Sequence, residues 1–191
     1  MRILLIDNFD SFTYNLVQLL RESGVKHTLK IVHNNIKFSD LPAVVDKVLI
    51  SPGPGIPEES GNLMALIAHY VGMHPILGIC LGHQALALHF GARMRQLPHS
   101  FHGADHMLHQ TAFAGRLFES VSQKFIAGRY HSWIVDHETL PEVLLPTAYD
   151  EAGRLMAFRH KHWPIDALQF HPESYMTTEG QQMMRNWLMH C

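Results

Sequence analysis

Residues 75–90 read PILGICLGHQALALHF, in which a short apolar run passes directly into a second apolar stretch. The first part, residues 75–79, has the length and composition of a buried strand, whereas residues 83–90 predict a helix that ends at Gly91. Glycines flank the junction between the two parts. A strand that passes so abruptly into a helix is typical of βαβ units, which build parallel sheets.

The same alternation extends on both sides of this unit. Before it, strand-like runs occupy residues 2–7, 29–32 and 44–50, and helical spacing marks residues 12–20, closed by Gly24, and 62–71. After it come strand-like runs at residues 125–129, 142–148, 154–159 and 165–170, a hairpin signal at Asp150-Glu151-Ala152-Gly153 and a final helix at about 178–189. We therefore predict an α/β fold in one domain spanning residues 1–191, with an open, mostly parallel sheet, helices on both faces and an antiparallel extension.

Composition excludes several classes of protein. The chain has 191 residues, 47% of them hydrophobic, and its 15 Lys and Arg nearly balance 17 Asp and Glu. The hydrophobic content is far from that of disordered chains, and the small net charge gives no electrostatic reason to expect nucleic-acid or membrane-surface binding. The apolar run at residues 3–6 is too short for a signal or membrane segment, and two cysteines cannot form a disulfide framework. We expect a cytoplasmic protein.

Cys80 occupies the centre of the strand–helix junction, in the sequence Gly78-Ile79-Cys80-Leu81-Gly82. This is the G-x-nucleophile-x-G pattern, with Cys where many hydrolases have Ser. The tight turn strains its central residue, and the glycines remove Cβ atoms that would clash. The thiol would lie at a helix N-terminus, which favours the thiolate, and the N–H of Leu81 would point at a forming oxyanion. The alternative interpretation is a buried structural cysteine, and Cys191 has no comparable setting.

A nucleophilic thiol needs a base, and His171-Pro172-Glu173 offers one among the sixteen histidines of the chain. Pro172 biases His171 towards an extended conformation, in which residues two apart point the same way. His171 and Glu173 should therefore lie side by side at the carboxyl end of a strand, the edge at which ligands bind in open α/β sheets. A carboxylate in that position would fix the tautomer of the imidazole. The pattern is weak evidence alone and gains weight from the cysteine turn.

Five segments of the chain together resemble a known family. They are residues 7–16 (DNFDSFTYNL), 51–57 (SPGPGIP), 78–84 (GICLGHQ), 131–132 (HS) and 169–174 (QFHPES). These segments are similar to the class I, triad-type glutamine amidotransferases. Residues 7–16 narrow the likeness to the glutaminase subunits of anthranilate synthase (component II) and of aminodeoxychorismate synthase. The resemblance covers residues 1 to about 189 and implies a flavodoxin-like sheet.

The resemblance implies a glutamine-hydrolysing reaction. Cys80 would attack the side-chain amide of L-glutamine, His171 would pass a proton to the leaving ammonia, and Glu173 would orient His171. Backbone amides of Leu81 and of the glycine loop at Gly53 would hold the oxyanion. The residues implied in substrate binding are Gly53, Pro54, Gly55, Gln84, Ser132 and Trp133. The other interpretation of the glycine loop is a rigid Pro/Gly turn with no ligand role.

Three features need separate interpretation. Ala104 stands where the family commonly has Lys, and the loss of that cation is expected to affect docking or signalling to a partner rather than glutamine chemistry. Trp133 stands where Leu is usual, which matters little if the backbone makes the contact. The last feature is a group of four histidines, His99, His102, His106 and His109. They lack a Cys/His framework and lie in a region predicted to be irregular, so we predict no metal site.

The sequence also predicts a partner. Ammonia is protonated at neutral pH and is then no nucleophile, so its release into solution would be wasteful, and the chain lacks a GxxxxGK[ST] phosphate loop. We expect a separate chorismate-binding synthase subunit as the acceptor, with no cofactor in this chain and Mg²⁺ in the partner. The resemblance favours anthranilate synthase, in tryptophan biosynthesis, with aminodeoxychorismate synthase, or service to both, as the alternative. A catalytically silent regulatory subunit and a stand-alone γ-glutamyl hydrolase are further alternatives.

Overall fold

The computed structural model describes residues 1–98, 100–101 and 103–190. In this part of the chain the α-helices are α1 (Thr13–Glu22), α2 (Leu63–Tyr70), α3 (Leu81–His89) and α4 (Gly180–His190). The strands are β1 (Arg2–Asp7), β2 (Thr28–His33), β3 (Lys47–Ile50), β4 (Ile76–Ile79), β5 (Arg93–Gln96), β6 (Ala104–Gln110), β7 (Lys124–Arg129), β8 (Trp133–Asp136), β9 (Leu144–Asp150), β10 (Leu155–His160) and β11 (Ile165–Leu168). Short 3₁₀ turns join several of these elements.

Nine of the described strands form one sheet in the order β2-β1-β3-β4-β11-β10-β9-β6-β7. The strands from β2 to β11 pair in parallel, and β10, β9, β6 and β7 continue the sheet with antiparallel pairing. Strands β5 and β8 form a separate antiparallel pair. The predicted α/β fold, with a parallel sheet and an antiparallel extension, is confirmed.

Helices cover both faces of the parallel part of the sheet. Alternate residues of a strand point to opposite faces, and β1 shows the consequence directly. Ile3 and Leu5 pack in the same core cluster as Trp187 of α4. Leu4 and Ile6 belong to the opposite cluster, which contains side chains of α2 and α3. Burial on both faces explains why β1 is apolar throughout, and each such side chain contributes about 1.5–3 kcal/mol of burial free energy.

Strands β5, β6 and β8 were not predicted from the sequence. The expectation of irregular structure is wrong for residues 104–109, because they belong to β6, which pairs with β7 on one side and β9 on the other. Its sequence, ADHMLHQ, is polar at most positions and has no clear alternation. Two neighbouring strands satisfy its backbone groups, so pairing rather than its own hydrophobicity determines the strand.

The two element boundaries that position the candidate site also differ from the prediction. Helix α3 begins at Leu81, directly after Cys80, and not at residue 83. Strand β11 ends at Leu168, two residues earlier than predicted. Because Leu168 lies beside Ile79 in the parallel pairing of β11 with β4, the residues after each strand emerge at the same edge of the sheet. That edge carries both Cys80 and the His171 segment.

Candidate active site

Cys80 lies in a strained turn between β4 and α3. Its backbone angles are φ 51° and ψ −97°, a conformation that non-glycine residues rarely adopt. A Cβ atom on Gly78 would lie 2.7 Å from the backbone carbonyl oxygen of Gly82, and one on Gly82 would lie 2.9 Å from that of Ile50. The Cys80 N–H donates to the carbonyl of Leu168 (2.7 Å), which fixes the turn to β11. The predicted strained turn with obligatory glycines is therefore present.

The Cys80 side chain lines a small cleft at the carboxyl edge of the sheet. The residue is 6% exposed, and the cleft has a volume of about 120 Å³. Its lining residues are Gly53, Pro54, Gly55, Cys80, Gln84, Tyr130, His131, Ser132 and Trp133. The structure thus brings the thiol together with all six residues that the family resemblance implies in substrate binding. Larger hollows, up to about 580 Å³, lie elsewhere and contain none of these residues, so size alone does not locate the site.

His171 and Glu173 are in direct contact. Nδ1 of His171 lies 2.7 Å from Oε1 of Glu173, and both side chains are almost completely buried. The extended conformation predicted for His171 agrees with its isolated antiparallel bridge to Gly128. That conformation does not continue to Glu173 as predicted, because the chain turns there and the N–H of Ser174 donates to the carbonyl of His171 (3.2 Å). Thr177 Oγ1 donates to the same carbonyl (2.6 Å). The turn, and not an extended strand, places the carboxylate beside the imidazole.

Charge around His171 favours its protonated form. Burial alone would lower the pKa of His171, but the negative charges of Glu173 and Cys80 outweigh burial and raise that pKa well above its ordinary value. The second ring nitrogen, Nε2, makes no aligned hydrogen bond within the described residues, although the Cys80 sulfur lies near enough to act on the ring. The rings of Phe12 and Tyr130 pack against the imidazole at centroid distances of 5.8 and 4.9 Å. His171 thus favours its charged form in this buried position beside the Cys80 sulfur.

His131, the histidine that lines the cleft, is held in its neutral form. Nε of Arg129 donates to its Nε2 (3.2 Å), so that nitrogen must be an acceptor. Its Nδ1 therefore carries the proton and donates to the carbonyl of Trp133 (3.0 Å). Burial first, and then the charge of Arg129, lower the pKa of His131 well below its ordinary value. His131 is consequently a poor proton carrier at neutral pH.

The cation beside His131 belongs to a buried network that sequence reasoning missed. Arg129 is fully buried on β7, and its Nη1 donates to Oδ2 of Asp150 (2.7 Å). Nε of Arg154 donates to the same oxygen (2.6 Å). Asp150 was interpreted only as a hairpin residue, a role it also has, because its Oδ1 accepts the N–H of Ala152 (3.0 Å). The hairpin signal in the sequence gave no indication that Asp150 also pairs with two arginines.

Gln84 is tied to the backbone of Trp133 and is only partly available to a ligand. Its Nε2 donates both to the carbonyl of Trp133 (2.9 Å) and to Oε1 of Gln169 (3.1 Å). Because an amide nitrogen carries two protons, only Oε1 of Gln84 is left to contact a substrate. The Trp133 carbonyl accepts from both Gln84 and His131, so its two lone pairs are occupied. The Trp133 ring takes no part in these bonds, which agrees with a backbone role at this position.

Asn8 holds the glycine loop in place. Its N–H donates to Ser51 Oγ (2.9 Å) and its Nδ2 to the carbonyl of Ser51 (2.8 Å), which ties the end of β1 to the start of the loop. A Cβ atom on Gly53 would lie 2.5 Å from Cβ of Asn8 and 2.7 Å from Cδ2 of Leu81. Gly53 therefore lets the loop pack directly against the residue that follows Cys80. This close packing explains why glycine is required at position 53.

No metal centre is evident in the described part of the chain, where no three His, Cys, Asp or Glu side chains are arranged to hold an ion. His99 and His102 lie outside the described residues. His106 and His109 are three residues apart on β6 and point to opposite faces of the sheet. Cys191 also lies outside the described residues. The absence of a metal site at the four histidines stays a prediction.

Membrane insertion by a helix has no support in the described residues, since none of their helices is both long and apolar enough to cross a bilayer.

Comparison with known proteins assigns the chain and its fold to a family. The family described as glutamine amidotransferase class-I matches residues 4–191. A Thermotoga maritima glutamine amidotransferase structure has a TM-score of 0.74 at 20% identity, covering 98% of this chain and 80% of that one. A solved protein of Thermoplasma acidophilum has a TM-score of 0.86 at 29% identity, covering 98% and 92%. These structures confirm the α/β amidotransferase fold.

Curated relatives span nearly the full length of the chain. Aminodeoxychorismate/anthranilate synthase component 2 of Bacillus subtilis is 42% identical over 187 residues, 97% of this chain and 95% of that protein. Anthranilate synthase component 2 of Thermus thermophilus is 42% identical over 194 residues, covering 98% and 92%. Aminodeoxychorismate synthase component 2 of Escherichia coli is 38% identical over 187 residues, covering 97% and 98%. The chain belongs to the class I glutamine amidotransferases, a family of glutamine-hydrolysing enzymes.

Proposed function

We propose that this chain is component 2 of anthranilate synthase, the subunit that hydrolyses L-glutamine and supplies ammonia to a chorismate-binding partner. The observation that carries the proposal is the edge of the sheet at Cys80, where the sulfur on a strained turn interacts with the buried imidazole of His171, which is itself paired with the carboxylate of Glu173. Cys80, His171 and Glu173 are the proposed triad. The relatives named above, both anthranilate and aminodeoxychorismate synthase components, support the assignment of the reaction class.

The proposed chemistry begins at the Cys80 sulfur. The thiolate attacks the side-chain carbonyl carbon of glutamine, and the oxyanion accepts hydrogen bonds from the N–H groups of Leu81 and the Gly53 loop. The imidazolium of His171 gives its proton to the amide nitrogen, which leaves as ammonia and leaves a glutamyl thioester. His171 then removes a proton from water, which attacks the thioester and releases glutamate and the thiolate. Glu173 holds the ring and stabilises its charged form throughout.

The α-ammonium and α-carboxylate of glutamine would be recognised at the other end of the cleft. Oε1 of Gln84 is the acceptor that remains after its amide protons are used, so it suits the α-ammonium group. The Trp133 carbonyl is already occupied, and the backbone contribution of Ser132 and Trp133 is therefore assigned to N–H groups facing the α-carboxylate. The chemistry needs no cofactor in this chain, because thiol and imidazole supply nucleophile and proton carrier; Mg²⁺ is assigned to the partner. A reducing compartment such as the cytoplasm would keep the thiol free.

Gly53→Ala should reduce kcat/KM for glutamine hydrolysis by about 10- to 100-fold. The added Cβ would overlap Asn8 and Leu81, so the loop must move away from the oxyanion position by about an ångström. Steady-state glutaminase assays with the partner present would measure the effect. Gly115→Ala is the matched control, since Gly115 lies in extended backbone (φ −96°) and an added Cβ would meet only the flexible side chain of Arg159. Equal losses in both variants would mean that the loop has no special role.

Product identification tests the function as a whole. The chain is mixed separately with a component 1 of anthranilate synthase and one of aminodeoxychorismate synthase, each with chorismate and glutamine. We expect glutamine-dependent anthranilate in the first mixture. Product only in the second would establish aminodeoxychorismate synthase as the enzyme served. Product in both would mean that the chain serves both enzymes, the outcome that the double name of the Bacillus subtilis relative favours.

Two further measurements separate the remaining alternatives. A glutamine-analogue electrophile that fails to label Cys80 would indicate a catalytically silent regulatory subunit. Full glutaminase activity without any component 1, with no stimulation on its addition, would indicate a stand-alone hydrolase. We expect labelling of Cys80 and strong stimulation by the partner.

A further inference from the structure

Gln169 is a fully buried amide that touches the proposed nucleophile. Its Nε2 lies 3.6 Å from Sγ of Cys80, within hydrogen-bond range for sulfur, and the residue has no exposed surface. Its own N–H donates to the carbonyl of Met156 (2.8 Å), so the backbone is anchored on β10. Gln169 is the first residue after β11, and this edge-of-sheet position directs its side chain towards the cleft. Neither the triad nor the substrate contacts proposed above include it.

The orientation of the Gln169 amide follows from a chain of hydrogen bonds that starts at a backbone carbonyl. The carbonyl of Trp133 can only accept, so the Gln84 atom 2.9 Å from it must be the amide nitrogen. That nitrogen lies 3.1 Å from Gln169, whose facing atom must therefore be its oxygen. The remaining Gln169 atom, the one beside sulfur, is then the NH₂ group. A flipped amide would place two donors opposite each other and an oxygen against a thiolate.

A donor fixed at the sulfur acts differently on the two forms of Cys80. Hydrogen bonds to a charged acceptor are about twice as strong as those to a neutral one, so the bond favours thiolate over thiol. The amide is neutral and buried, and it keeps this role whatever the protonation of His171. We propose that Gln169 is a thiolate-stabilising residue, with Gln84 as the positioning residue that orients its amide. The assignment rests on the proposed function in taking Cys80 as the nucleophile.

Replacement of Gln169 by Met tests the assignment on the thiol itself. Met has a similar length and no donor, so the sulfur loses its hydrogen bond. The rate of Cys80 alkylation by iodoacetamide is measured against pH by mass spectrometry of the Cys80 peptide, which keeps Cys191 out of the signal. We expect the pH midpoint of alkylation to rise by about one unit and the rate at pH values well below the wild-type midpoint to fall about tenfold, with an unchanged plateau at high pH. Gln110→Met is the matched control, because that amide donates only to the carbonyls of Val121 and Ser122.

A folded Gln169→Met variant with the wild-type alkylation midpoint would overturn the proposal. If the Met variant does not fold, Gln169→Glu decides, since it keeps the shape and the acceptor for Gln84 while replacing the donor at sulfur with a carboxylate oxygen. We expect Gln169→Glu to raise the alkylation midpoint further than Gln169→Met does. A wild-type midpoint in this variant would also overturn the proposal. The alkylation profile needs neither glutamine nor a partner. If the product assay fails while the Gln169 variants still shift the alkylation midpoint, the proposed function is contradicted and the role of Gln169 at the sulfur stands.

Discussion

Replacing Cys80 with Ser will reduce glutamine-dependent product formation by about 10⁴-fold or more and leave ammonia-dependent synthesis by the partner unchanged. Serine is nearly isosteric with cysteine, so the turn at φ 51° and the packing of Gly78 and Gly82 stay intact. A hydroxyl next to an imidazolium does not ionise as a thiol does, and the imidazole here is adapted to pair with a thiolate. The variant thus removes the nucleophile while leaving the subunit able to dock.

The measurement compares product formed from glutamine with product formed from ammonium at alkaline pH, using the complete complex. Cys191→Ser provides the control, since it alters the other cysteine of the chain. Loss of both activities in the Cys80 variant would indicate failed assembly and not failed chemistry. Retained glutamine use would mean that the proposed covalent mechanism is wrong.

The elements around the nucleophile were predictable because local signals there agree. A buried strand, two glycines and an apolar helix all indicate one geometry at Cys80, and the structure shows that geometry. The antiparallel strands were harder to predict from the sequence. Strands β5 and β6 are short or polar, and they exist because neighbours pair with them, which no local pattern reports.

The site residues also divide into those whose contacts follow from local sequence and those whose contacts depend on distant parts of the chain. The contact between His171 and Glu173 was predicted correctly on a partly mistaken conformation, because a turn and an extended strand both bring residues two apart together. Gln169 lies in the QFHPES segment, but neither its role nor that of Arg129 could be predicted, since the contacts of a buried polar side chain are recognisable only when its partners are known. These partners, Cys80 and Asp150, are 89 and 21 residues away in the sequence. Tertiary structure alone assembles such networks.

Two substitutions in the proposed triad should differ in size and in pH dependence. His171→Asn removes the proton carrier and should lower kcat for glutamine hydrolysis by about 10²–10⁴-fold. Glu173→Gln keeps the hydrogen-bonding shape and should cost roughly tenfold less, because orienting a base contributes less than supplying one. Equal losses would show that the carboxylate does more than hold the ring. Steady-state rates with saturating partner provide the comparison, and ammonia-dependent synthesis again reports assembly.

The Glu173→Gln variant should also reveal its role through pH. Burial acts against the charged ring, and the negative charge of Glu173 is the main influence that raises the pKa of His171, so that pKa must fall in the variant. The alkaline limit of kcat for glutamine hydrolysis, where the imidazolium that protonates the leaving ammonia is lost, should move to lower pH. A raised folded-state pKa adds stability that is complete below the unfolded value of about 6.5 and disappears as pH rises through the folded value. The free energy of unfolding of the variant should therefore fall furthest below wild type near pH 6 and approach it at strongly alkaline pH. A constant difference across that range would mean that Glu173 acts through packing and not through its charge.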